Sequence, residues 1–138
     1  MILEKASMQT INHGASPTST TNYSILIKKN KSFLWSIDSI VSVNGNKISF
    51  NISKVENINS ASPKYTPITS YSKNDVGTYH LTFASTKRRG EGRNGAAQHL
   101  TVETEDYSGG VIIHYKVKGK LKKMKIESFV KDETINAP

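Results

Sequence analysis

The sequence predicts an all-β fold: an antiparallel β-sandwich or jelly roll carrying a flexible N-terminal arm. Apolar residues recur at spacing two in several short runs, and glycine or Asn-Gly turns separate those runs. No segment shows the periodicity of an amphipathic helix. A chain of 138 residues suits a single domain, assigned to residues 23–138 behind an arm of residues 1–22.

The arm ends in Gly14-Ala15-Ser16-Pro17-Thr18-Ser19-Thr20-Thr21-Asn22, a small polar tract with nothing to bury. The first strand follows, where Tyr23, Ile25 and Ile27 alternate with Ser24, Leu26 and Lys28. Residues 33–43 are β-branched and aromatic, then Asn44-Gly45-Asn46 turns the chain into Ile48, Phe50 and Ile52. The apolar faces coincide if Val43 stands opposite Ile48 and Val41 opposite Phe50. Residues 56–77 carry Pro63 and Pro67 and read as a long connection with one short edge strand, Thr66 to Tyr71.

The last stretch reads as a meander. Tyr79, Leu81 and Phe83 share a face, as do Leu100 and Val102, Ile113 and Tyr115, and Met124 and Ile126. The register that turns all of them inward pairs Phe83 with Leu100, Val102 with Ile113 and Tyr115 with Met124. The final turn then falls at Gly119-Lys120. A slip of one residue would invert every face.

Net charge is +8 and the isoelectric point about 9.7, which favours an anionic partner. The absence of cysteine excludes disulfides, thiol catalysis and cysteine-ligated zinc. The opening residues lack the apolar run of a secretory signal, and no stretch reaches the ~20 apolar residues of a membrane helix. The expectation is a soluble protein made without a cleavable signal and open to extracellular release.

Three histidines, His80, His99 and His114, fall on the outward face of that register. None stands opposite another and no carboxylate completes a cage, so a solvated face is expected and no metal. The segment Gly90-Glu91-Gly92-Arg93-Asn94-Gly95 matches G-x-G-x-x-G, but it runs into a strand pattern rather than opening a helix. No nucleophile elbow or paired carboxylates appear, so neither an enzyme nor a cofactor is expected.

The remaining feature is cationic. The predicted turns bring Lys87, Arg88, Arg89 and Arg93 to the same tip as Lys116, Lys118, Lys120, Lys122 and Lys123. Lys116 and Lys123 would then sit cross-strand, where like charges repel unless an anion intervenes. Lys87, Arg88, Arg89, Arg93, Lys116, Lys118 and Lys123 form the expected anion-binding set. Lysines on an edge strand also discourage pairing with other chains, which accounts for part of the run. Nucleic acid is the alternative partner, weakened because no stacking aromatics occupy the outward face.

Gly77-Thr78-Tyr79-His80-Leu81, Gln98-His99-Leu100-Thr101-Val102 and Gly109-Gly110-Val111-Ile112-Ile113-His114-Tyr115 together resemble the small A component of the Pir (PirA-type) binary insecticidal toxins. The likeness spans residues 77–116. The longer basic loop and the Lys-rich strand after Tyr115 depart from that family's pattern. The resemblance implies a jelly-roll, carbohydrate-binding module that acts beside a larger pore-forming partner. It would recognise a cell-surface glycan, acidic lipid or receptor and catalyse nothing.

Overall fold

Strand-forming alternation extends further along the chain than its most apolar runs suggest. The structure, a computed structural model, describes residues 1–14, 18–88 and 105–137. Its strands are β1 (Ile2–His13), β2 (Thr18–Lys29), β3 (Trp35–Ser42), β4 (Lys47–Ile48), β5 (Asn51–Glu56) and β6 (Lys64–Pro67). β7 (Gly77–Arg88), β8 (Val111–Val117), β9 (Lys120–Ile126), β10 (Val130–Lys131) and β11 (Ile135–Ala137) complete the set. One sheet runs β10-β1-β2-β7-β5-β6, with β11 also on β1, and the second runs β4-β3-β8-β9. No helix occurs among the described residues, so the fold is all-β and sandwich-like.

The core lies between the sheets, filled by alternate residues of each. β2 sends in Tyr23, Ile25 and Ile27, and β7 sends in Tyr79, Leu81 and Phe83. From the second sheet come Trp35, Ile37 and Ile40 of β3 with Val111, Ile113 and Tyr115 of β8. Each such burial stabilises by roughly 1.5–3 kcal/mol. Ile37 and Ile40 are three apart and could not share a face on a regular strand. A bulge between Ile37 and Ser39 absorbs the extra residue and turns both inward. Rings join the sheets directly: Trp35 lies 4.7 Å from Tyr79, centroid to centroid.

Several expectations need correction. Residues 2–13 are not a flexible arm but a strand, and the Thr-rich tract from Thr18 is the first half of β2. β1 pairs antiparallel with β2 along its length and parallel with β10 and β11 at Ser7–Met8 and Ile11–His13, so its second half is held from both sides. The Thr10 and Thr21 hydroxyls meet at 2.9 Å across this pairing. In the Asn-Gly hairpin Ile40 opposes Ile48 and Val41 opposes Lys47, a register with a longer turn that leaves Val43 exposed within it. The edge strand is Lys64–Pro67, nearer the start of its connection than expected.

The meander also breaks. β7 belongs to the larger sheet and β8 and β9 to the smaller. The expected Leu100–Val102 strand lies outside the described residues. Across β8–β9, Ile113 opposes Met124 and Tyr115 opposes Lys122, two residues from the predicted register, so the inward faces survive.

One buried cation braces the end of the core where β2 finishes. Lys29 is 0% exposed. Its ammonium donates to the Lys73 carbonyl at 2.7 Å and lies 4.8 Å from the Phe33 ring centroid. Burial pushes its pKa down, partly opposed by the Asp75 charge. Asp75 itself pairs with Lys54, and its backbone carbonyl accepts the Tyr79 hydroxyl. The Lys54 hydrogen bond, aided by Tyr79 and the nearby lysine charges, holds the Asp75 carboxyl below its usual value against the opposing effect of burial. A depressed carboxyl adds stability that is full above the unfolded-state value and is lost as pH falls through the folded one. Urea midpoints at about pH 5 and about pH 2.5 should therefore fall less between the two in Asp75→Asn than in the parent protein. An equal fall in both would contradict this role.

Candidate functional site

A β-hairpin builds the most distinctive surface. Val117 pairs with Lys120, so Lys118 and Gly119 form a two-residue turn, with φ of 54° and 78°. Positive φ at both positions gives the twist that suits adjoining antiparallel strands. The Lys118 N–H donates to the Leu34 carbonyl at 2.8 Å, fastening the hairpin to the segment between β2 and β3.

Along β9 the inward positions are Lys120, Lys122, Met124 and Ile126, opposite Val117, Tyr115, Ile113 and Val111. Ile126 is buried and Met124 half-buried, but the two positions nearest the turn hold exposed lysines. There the hairpin stands over a groove of about 480 Å³. Lys31, Lys118, Lys120 and Lys122 line it above Phe33 and Tyr115, and no carboxylate is among its described lining residues. None of the four lysines is ion-paired among the described residues. Four cations around a partly apolar floor repel one another, and an anion between them relieves that repulsion.

The expected binding set does not converge. Lys118 lines the groove. Lys116 faces outward opposite Leu121 and lies 3.7 Å from Asp38, while Lys123 stands opposite His114 rather than Lys116. Lys87 is at the other end of the sandwich. In the β2–β7 ladder Gly77 meets Lys29 near the groove, and Lys87 meets Ser19 ten residues away. At about 3.3 Å per residue, roughly 30 Å separate the two ends. Arg88 pairs through its backbone with Thr18 at that far end. Arg89 and Arg93 lie outside the described residues. The single cationic tip is therefore not formed by Lys87 with the hairpin lysines.

Lys87 instead lines a separate cavity of about 390 Å³ with Asp106, Ser108 and Lys131. The Asp106 carboxyl is held below its usual range chiefly by the Ser108 backbone N–H, with a smaller contribution from the Lys87 charge. Nearby, Glu105 accepts from Ser42 at 2.9 Å, Asn44 at 2.8 Å and Asn46 at 2.7 Å, which ties the β3–β4 turn in place. A carboxylate therefore stands among the lysines of this cavity, whereas none is among the described lining residues of the groove.

The histidines also separate. His80 is on the larger sheet, hydrogen-bonded to Ser24 and 4.9 Å from the Tyr65 ring, and burial lowers its pKa. His114 is on the smaller sheet, and His99 lies outside the described residues. Among the described residues no group of three or more His, Asp or Glu side chains could hold a metal ion. No described helix is long and apolar enough to cross a membrane.

Sequence reasoning missed Lys31, which joins the site only because β2 ends beside the hairpin. It also placed Lys120 and Lys122 in the basic turn without recognising that they occupy inward positions. Phase was the available signal: Ile126 and Met124 counted back at spacing two arrive at Lys122 and Lys120. Comparison of the chain with protein-family models, with curated proteins and with solved structures returns no match.

Proposed function

We propose that the protein is a non-enzymatic recognition module that holds an acidic group of a cell surface in the lysine groove. The group is a sulfate, carboxylate or phosphate, borne by a glycan or a lipid. One observation carries the reading: inward strand positions in phase with the core are occupied by Lys120 and Lys122, facing a groove without a carboxylate among its described lining residues. Burying or crowding cations where apolar residues would pack is a local cost that a bound anion offsets. As a PirA-type component the chain would deliver a larger pore-forming partner to that surface. Nucleic acid fits less well, because Phe33 and Tyr115 are each only 8% exposed and offer no free ring face for stacking.

Titration with a heparin-derived hexasaccharide tests this reading, with heat and backbone amide shifts as readouts. Binding should weaken steeply with added salt. Amide shifts should concentrate at Lys31 to Phe33 and Lys118 to Lys122. Neither heat nor shifts at low ionic strength would sink the proposal.

A further inference from the structure

We infer that the hairpin pole seats on an anionic lipid bilayer, its exposed aliphatic side chains entering the headgroup boundary while the groove lysines hold lipid phosphate or carboxylate. This rests on the groove reading above and names the source of the anion. Leu34 is 64% exposed, Leu121 63% and Ile2 50%. All three belong to the same end of the molecule. Ile2 lines the groove, the Leu34 carbonyl receives the Lys118 N–H, and Leu121 lies between Lys120 and Lys122. Leu121 also stands opposite Lys116.

The result is a hairpin end with Leu121 on its outer face beside Lys116, while Ile2 lines the groove and the Leu34 backbone holds Lys118. Single exposed apolar residues are ordinary on a protein surface. Several at one pole, beside Lys31, Lys118, Lys120 and Lys122, which are unpaired among the described residues, match the chemistry of a charged interface with an apolar layer beneath. Lysine stems lie along apolar surface while their heads stay with phosphates, so both residue types can be satisfied at one depth. A soluble acidic glycan would satisfy the lysines but leave Leu34 and Leu121 in water. Asp38, a carboxylate on the outer face, is engaged with Lys116 at 3.7 Å, and no carboxylate is among the described lining residues of the groove.

The test is co-sedimentation of the whole chain with phosphatidylcholine vesicles containing roughly 30% phosphatidylserine, beside vesicles of phosphatidylcholine alone. Hexasaccharide titration runs in parallel on the same preparations. The variant is Leu34→Ser with Leu121→Thr, which leaves every groove lysine and the Leu34 carbonyl in place. The expected result is binding to the anionic vesicles only, weakened roughly tenfold or more in the variant, with hexasaccharide affinity unchanged. Hexasaccharide binding without vesicle binding would overturn the bilayer and leave the groove reading standing, with a glycan as occupant. Full vesicle affinity in the variant would also overturn it. Binding to neither probe would remove both.

Discussion

Gly110→Ala is expected to reduce unfolding free energy by about 4 kcal/mol and Tm by roughly 15 °C. Gly110 has φ of +117°, a conformation that side chains rarely adopt. An added Cβ would lie 2.3 Å from the Ile126 carbonyl oxygen and 3.3 Å from that of Glu127. Both obstacles are backbone, so no side chain can swing away. The residue is also constrained on either side. Its N–H donates to the Tyr107 carbonyl at 2.9 Å, and the next residue, Val111, is buried opposite Ile126. Relief would have to separate β8 from β9 at the inner end of the hairpin. Gly109 is the internal control, since a Cβ there meets nothing within 4 Å and its φ is not positive. Gly109→Ala should stay within about 0.5 kcal/mol of the parent in urea unfolding. Similar losses in the two variants would contradict the packing described.

What the sequence disclosed followed burial. Tyr23, Ile25 and Ile27, then Tyr79, Leu81 and Phe83, alternate cleanly because one face of each strand meets the core, and all six are buried. Ile113 and Ile126 were legible for the same reason. β1 was not. A bulge between Leu3 and Lys5 breaks its alternation, so that Leu3, Ala6 and Met8 share the face opposite Ile27, Ile25 and Tyr23, and only Ala6 of that strand is buried. Two of its three partners, β10 and β11, lie more than a hundred residues away, and pairing at that range leaves no local pattern.

Register failed where a turn used unexpected residues. Lys118 takes the left-handed conformation commonly held by Asn, Asp or Gly, which moves the turn one residue earlier and the register by two. The β3 bulge is similarly silent, because Asp38 is an ordinary outward residue until Lys116 is placed beside it. For the site, charge composition identified the hairpin lysines but not their neighbours. The assignment of β7 and β8 to different sheets moved Lys87 away and brought Lys31 in.

Removing the groove charges should abolish most anion binding without harming the fold. Lys118→Asn retains a residue that tolerates positive φ, and it creates the Asn-Gly pair favoured in such turns. Lys120→Thr and Lys122→Thr suit exposed strand positions. All three lysines are exposed and unpaired among the described residues, so their loss breaks no described ion pair. At a partly open site each contact to a bound anion contributes about 1 kcal/mol, so the triple variant should bind roughly 100-fold more weakly. Mutual repulsion also disappears, so the urea midpoint should hold steady or rise.

The opposite pole supplies the comparison, through Lys87→Thr combined with Lys131→Ser. These residues line the far cavity, where Asp106 stands with the two lysines. Both variants lose positive charge, but only one set surrounds the groove. Hexasaccharide affinity measured side by side in the parent and these two variants therefore separates a located site from a diffuse cationic surface. The groove variant should fall roughly 100-fold while the far-pole variant stays within about threefold of the parent. Equal losses in the two, or a larger loss at the far pole, would contradict a groove at the β8–β9 hairpin as the recognition site.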